Sequence, residues 1–171
     1  MKTLIVYLIL LASISAQLKI NIYAPDFTLS DAHEIQHSLS DYHGQFVILY
    51  FYPKDNTLGC TKEACSFRDS FSEIRELNAT ILGVSWDSSK NHASFTEKYS
   101  LPFTLLSDIK GKVSKVYDAA GWFMPKRYTY IIDPNGKIVN VYTKFDISTH
   151  SAEIISFIKS ISKSNPQTIS N

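Results

Sequence analysis

Phe46-Val47-Ile48-Leu49-Tyr50-Phe51-Tyr52-Pro53-Lys54-Asp55-Asn56-Thr57-Leu58-Gly59-Cys60-Thr61-Lys62-Glu63-Ala64-Cys65 runs from an unbroken apolar stretch, through a polar loop, to both cysteines of the chain. The stretch up to Tyr52 is β-branched, aromatic or leucine, which suits a central strand buried on both faces. Pro53 stops it, having no N–H to give to a ladder. From Thr61 to Leu77 the apolar positions Ala64, Phe67, Phe71, Ile74 and Leu77 recur at three- and four-residue spacing with charged residues between them. That periodicity predicts one amphipathic helix. A cysteine at such a strand-to-helix turn is placed to react, because the free N–H groups and partial positive charge of a helix start stabilise a thiolate. Cys60 is therefore read as a nucleophile and Cys65 as its disulfide partner.

Outward from this stretch the chain alternates strand and helix patterns. Asp26-Phe27-Thr28-Leu29 reads as a short strand, and Ser38 to Gly44 as polar and turn-rich. Thr80 to Trp86 is a strand, and Asp87 or Ser88 caps a helix running to about Tyr99. Phe103 to Leu106 is a short strand and Lys110 to Tyr117 a short helix. Tyr128 to Ile132 and Lys137 to Tyr142 form a hairpin across Asp133-Pro134-Asn135-Gly136, and Ser151 to Ile161 is a closing helix before a polar tail. The order predicts an α/β domain with a central mixed sheet flanked by helices, whose chemistry sits beyond the carboxyl ends of the central strands.

The 171 residues suffice for one domain with a proper core, placed at 19–163 with a tail at 164–171. A formal net charge of +1 argues against a nucleic-acid surface. Two cysteines in a chain this long do not make a disulfide scaffold, which leaves them for chemistry. At the N-terminus, Lys2, the apolar run Leu4 to Leu11 and the small residues Ala12 to Ala16 have the make-up of a cleaved secretory signal over residues 1–16. A buried strand or helix of the mature domain and a signal anchor are the competing readings. The expected location is the secretory pathway or outside the cell, with an organelle or the cytoplasm as the alternative if this segment is not a cleaved signal.

The cysteine spacing carries its own chemistry. A free cysteine titrates near ~8.5, so only roughly 3% is thiolate at neutral pH. A helix start and a nearby cation among Lys54, Lys62, Arg68 and Arg127 would raise that fraction. Five residues along an ideal helix separate two Cα atoms by ~8–9 Å, whereas a disulfide needs roughly 4.4–6.8 Å. Pairing Cys60 with Cys65 thus requires the first turns of the helix to unwind. A static bridge in a non-helical loop and a zinc site are the alternatives; the latter lacks two further ligands nearby in sequence.

Pro53-Lys54-Asp55-Asn56-Thr57-Leu58-Gly59-Cys60 matches the Pro-x-x-x-Thr/Ser-x-x-Cys signature, and the chain resembles the peroxiredoxins. With Cys65 and Phe67-Arg68-Asp69 following, it is most similar to their bacterioferritin-comigratory-protein and peroxiredoxin Q subgroup. The resemblance continues through Lys98 to Asp108 and Arg127 to Asp133 and spans about Ala24 to Ile161. It implies a thioredoxin-like fold and a thiol peroxidase without cofactor or metal, acting on hydrogen peroxide and organic hydroperoxides. Cys60 would attack the peroxide, and Thr57 would hydrogen-bond it. Arg127 would stabilise the thiolate and the developing charge, and Pro53 would shape and shield the pocket. Cys65 would resolve the sulfenic acid to an intramolecular disulfide, which thioredoxin or a similar dithiol would reduce. The subgroup implies a monomer, with no membrane contact once the signal is removed. Leu58 stands where the subgroup usually has proline, which implies a less rigid loop.

The alternative function is a thiol–disulfide oxidoreductase acting on proteins, although its usual Cys-x-x-Cys spacing is absent. A binding module with an inert bridge is a third. Glu63, one turn after Cys60, is read either as a group orienting Arg127 or as a solvated carboxylate. The histidines His33, His37, His43, His92 and His150 are read as surface or loop residues, and Trp86 and Trp122 as core or pocket-rim packing. Asn78-Ala79-Thr80 is a glycosylation sequon that matters only in a secretory setting.

Overall fold

The computed structural model describes residues 20–164; the expected signal at 1–16 and nearly all of the tail lie outside them. Thr28–Ser30 (β1) and Gln36–Ser38 (β2) form an antiparallel pair, followed by a 3₁₀ turn over Leu39–Tyr42. Phe46–Phe51 (β3) then leads to helices Leu58–Asp69 (α1) and Phe71–Glu76 (α2). Next come Ala79–Ser85 (β4), Ser89–Tyr99 (α3), Thr104–Ser107 (β5) and Lys112–Val116 (α4). Tyr128–Ile132 (β6), Ile138–Tyr142 (β7) and His150–Ser164 (α5) close the chain.

The seven strands form one mixed sheet in the order β2-β1-β5-β4-β3-β6-β7. β3 lies parallel to β4 and antiparallel to β6, near the middle, and every one of its residues is buried, as its composition predicts. Its alternation serves two cores. Phe46, Ile48 and Tyr50 pack with Ala64 and Phe67 of α1, Ile74 of α2, Phe95 of α3 and Ile154 and Ile158 of α5. Val47, Leu49 and Phe51 pack on the opposite face with Leu39, Tyr117 and Tyr130. Gly83 lies between Tyr50 and Leu105 in adjacent strands, and a Cβ there would come within 2.7 Å of both side chains. Glycine there leaves the space that the large Tyr50 ring takes up.

Four expectations about boundaries and burial change. The helix expected over Thr61 to Leu77 is two helices, broken at Ser70, whose hydroxyl donates to Ser151 of α5 at 3.2 Å. Both pieces bury the same face, so the apolar spacing runs through the break unaltered. α1 also starts earlier, at Leu58, after Thr57 in an extended conformation, so Cys60 lies inside its first turn. α5 continues to Ser164 rather than ending at Ile161. Trp122 is not core: it is 93% exposed beside the 82% exposed Phe123. Trp86 does pack partly inside, donating to Ser114 Oγ at 3.0 Å. Asn78 is exposed at φ 52 and donates to the Gly44 carbonyl at 2.9 Å.

Candidate active site

The register of the sheet assembles the site. Phe51 of β3 faces Tyr128 of antiparallel β6, so Arg127 stands one step beyond the carboxyl end of β3, where the Pro53–Thr57 loop turns into α1. From there its guanidinium Nη2 donates to Cys60 Sγ at 3.1 Å, and Nη1 pairs with Glu63 Oε2. Gly59 lies against the guanidinium, where a Cβ would meet Arg127 Nη2 at 3.4 Å, an ordinary contact. Of the four candidate cations, Arg127 is the one on the sulfur. Arg68 instead pairs with Asp69 and donates to the Tyr99 carbonyl, and Lys54 and Lys62 are exposed.

Cys60 is 2% exposed, and Cys65, further along α1, is partly exposed in a surface groove with Lys62, Ser66 and Ile147; both thiols are free. Because both residues belong to one continuous helix, its geometry keeps their Cα atoms beyond disulfide reach. Thr57 is the exposed N-cap residue, and its hydroxyl donates to the Lys54 carbonyl at 3.0 Å, leaving oxygen lone pairs to accept another bond. Pro53 is half-buried behind the loop. Leu58, at the first helical position, is 91% exposed, a place where proline would also fit without cost to the helix.

Glu63 is a buried member of the site, not a solvated carboxylate: its side chain is 2% exposed and Oε1 has no partner. Burial pushes its carboxyl up to about 7, with the Arg127 charge opposing. Tyr50 lies behind it, its hydroxyl buried and unpartnered, and burial holds that phenol well above its ordinary value. His150, expected at the surface, is 1% exposed, stacked on Phe145 at 3.5 Å and bonded through Nε2 to Thr129 Oγ1 at 2.8 Å. Burial, with the Arg127 charge second, lowers its pKa to about 4.

These two shifts act on stability in opposite directions. Glu63, raised on folding from 4.5 to about 7, favours the fold at low pH, and that contribution is lost as pH rises between those values. His150, lowered from 6.5 to about 4, favours the fold above 6.5, and that contribution is lost as pH falls through 4. Denaturant titrations of wild type and Glu63→Gln across this range are expected to diverge. Relative to wild type, the variant gains up to about 3 kcal/mol between pH 4.5 and 7, the equivalent of the Glu63 shift. A constant difference between the two curves would refute the assignment.

His92, expected to be a surface or loop residue, lies inside as well. It is 0% exposed, on the inner face of α3 three residues before the core residue Phe95, and its Nδ1 lies 2.9 Å from Asp55 Oδ2. The signal was present in that three-residue spacing, which places His92 on the buried stripe. Asp55 lies within the signature loop at a position the signature leaves free, so nothing in the motif marks it.

A mixed sheet with a buried cysteine in the first turn of a helix, covered by an arginine that leads into a neighbouring strand, defines a thiol enzyme of thioredoxin-like architecture. A model of the AhpC/TSA family matches residues 20–141, and the chain belongs to that family. It is 41% identical over 150 residues to peroxiredoxin Bcp of Bacillus subtilis, covering 82% of this chain and 94% of that one. It is 44% identical over 142 residues to a chloroplastic peroxiredoxin Q of Sedum lineare, covering 80% and 76% respectively. Among solved structures, a cysteine-to-serine mutant of Xylella fastidiosa PrxQ superimposes with a TM-score of 0.81 at 31% identity, covering 84% of this chain and 97% of that one. The fold is that of the thioredoxin-like peroxiredoxins, and the protein is an enzyme, a peroxidase among the oxidoreductases.

Proposed function

We propose that the protein reduces hydrogen peroxide and organic hydroperoxides through Cys60 and Cys65 and is recycled by thioredoxin or a similar dithiol. The observation that carries this reading is the buried Cys60 sulfur under the Arg127 guanidinium at 3.1 Å, on the same helix as a more accessible second cysteine. In the first step the Cys60 thiolate attacks one peroxide oxygen. An S–O bond forms, the O–O bond breaks, and the other oxygen leaves with a proton as water or alcohol. Arg127 offsets the charge that develops on the oxygens, as do the free N–H groups of the first turn of α1. Thr57 Oγ1, already donating to Lys54, accepts from the peroxide O–H. Pro53, at the back of the loop, keeps water from the sulfur.

In the second step α1 unwinds at its start, and the Cys65 thiolate attacks the Cys60 sulfenic sulfur. The S–S bond forms and the hydroxyl leaves as water. The external dithiol then returns both thiols to the reduced state as its own pair becomes a disulfide. The groove beside Cys65 gives that partner an approach.

Peroxide consumption coupled through thioredoxin, its reductase and NADPH tests the whole reading, with turnover expected. Cys65→Ser is expected to form the Cys60 sulfenic acid at the wild-type rate in a single turnover but to fail in thioredoxin-driven cycling. Loss of the first oxidation in a folded Cys65→Ser protein would reverse the two roles. We further propose a monomer, on the resemblance to the peroxiredoxin Q subgroup, handled by the secretory pathway, on the composition of residues 1–16. An oxidising compartment is poor in thioredoxin, so a disulfide-isomerase-like dithiol is the reductant to try there. N-terminal sequencing of the mature chain checks the cleavage.

A further inference from the structure

The loop that leads into Cys60 is fastened from beneath by a buried polar network. Asp55, 6% exposed, lies at its centre, between Pro53 and Thr57. Its carboxylate accepts from the Tyr52 hydroxyl at 2.7 Å through Oδ1 and meets His92 Nδ1 at 2.9 Å through Oδ2. With Asp55 as a carboxylate, Nδ1 must be the donor, and His92 Nε2 is left buried with no partner. The Asp55 backbone N–H is held as well, donating at 3.0 Å to Oδ2 of Asp87. Asp87 is in turn fixed by the Ser85 hydroxyl, which donates to the same oxygen at 2.8 Å. On the outer side, Lys98 Nζ reaches Asn56 Oδ1 at 3.4 Å.

Tyr52 sits at the carboxyl end of the central strand β3, and every other anchor on the far side of these bonds belongs to β4, α3 or the turn between them. None of these has to move for Cys60 to reach Cys65. The loop and the first turn of α1 do have to move. A buried, fully bonded carboxylate is a poor choice for mere packing, because an apolar group of equal size would fill the space without a desolvation cost. Its directional bonds fix one loop conformation over others.

We infer that Tyr52, Asp55 and His92 form a latch that holds the loop in the closed, peroxide-reacting arrangement and sets how fast the oxidised site opens for disulfide formation. They are positioning residues: they act through the loop and touch neither sulfur nor peroxide. The inference rests on the proposed roles of Cys60 and Cys65. A weaker latch leaves the closed state dominant in the reduced protein while lowering the barrier to opening, so the two chemical steps respond differently. Loss of overall stability would slow both.

The test is single-turnover rapid quench with hydrogen peroxide, resolving thiol, sulfenic acid and disulfide by mass. The variants are His92→Asn and the milder Tyr52→Phe, which removes one hydroxyl and keeps the ring packing. His92→Asn is expected to speed disulfide closure about tenfold, and Tyr52→Phe about threefold, while sulfenic acid formation stays within about twofold of wild type. Both variants should also accumulate less Cys60 sulfinic acid at high peroxide, since the sulfenic acid lives for less time. Closure that is unchanged or slower in Tyr52→Phe overturns the latch, as does a parallel fall in both steps. Absence of the sulfenic acid and disulfide in wild type would instead remove the underlying reading of the two cysteines.

Discussion

Cys60→Ser is expected to lose peroxide consumption by at least about a thousandfold while keeping its fold. The change replaces one atom. A serine hydroxyl would occupy nearly the same volume in the first turn of α1, under the same arginine donor found 3.1 Å from the sulfur. What it cannot do is ionise near neutral pH or take an oxygen atom from a peroxide, and both abilities belong to sulfur. The side chain is almost wholly buried, yet swapping one small group for another of similar size leaves no large cavity, so the loss of denaturant stability should stay within the about 1–3 kcal/mol that burying a hydroxyl costs. The coupled thioredoxin assay reads the activity, and a urea titration verifies the fold. Undiminished turnover would mean that Cys65 or another group does the chemistry. A collapse of stability would mean that the sulfur has a structural duty its neighbours do not suggest.

Such a prediction could be framed from the sequence because the cysteine, its strand and its helix lie within one short stretch. The apolar composition of Phe46 to Tyr52 encodes a strand buried on both faces, and local spacing encodes the helix that follows. Cys60 and Cys65 cannot meet within an intact helix, and that too needs nothing but distances along one element. The break at Ser70 escaped this logic because α1 and α2 bury a common face, so periodicity carries no trace of a kink. Arg127 marks a different limit. It reaches Cys60 because β6 pairs with β3 in the register Phe51 to Tyr128, a relation between segments far apart in the chain, and resemblance to the peroxiredoxins supplied what spacing could not. His92 and His150 were misplaced for a third reason. Histidine has a weak preference for the surface, and each is internal here only because a specific partner, Asp55 or Thr129, waits for it in another element. The three-residue spacing from His92 to Phe95 hints that the ring turns inward, but the partner that makes a buried histidine tolerable leaves no trace in either periodicity.

Arg127→Ala is expected to slow sulfenic acid formation at Cys60 by about a hundredfold to a thousandfold, the usual cost of removing one preorganised donor from a buried site. Two separate losses are combined in that variant. The first follows from the proposed catalytic role: the cation that touches the sulfur is gone. The second is structural: Glu63 remains buried with neither oxygen bonded, and without the opposing charge its carboxyl is driven further upward from about 7. The fold then loses stability as pH rises, over a window that extends further into the alkaline range than in wild type. Adding Glu63→Gln distinguishes the two. The double variant should regain much of the stability at pH 8, because no ionisable group is left to bury, yet it should recover none of the rate, because glutamine brings no cation. Arg127→Lys should fall between, since lysine restores a charge but cannot hold Glu63 and Cys60 at once with the rigid fork seen here. If the double variant instead recovered the rate, Arg127 would be serving the reaction only by keeping Glu63 in place, and the charge on the peroxide oxygens would have to be met by the helix N–H groups alone.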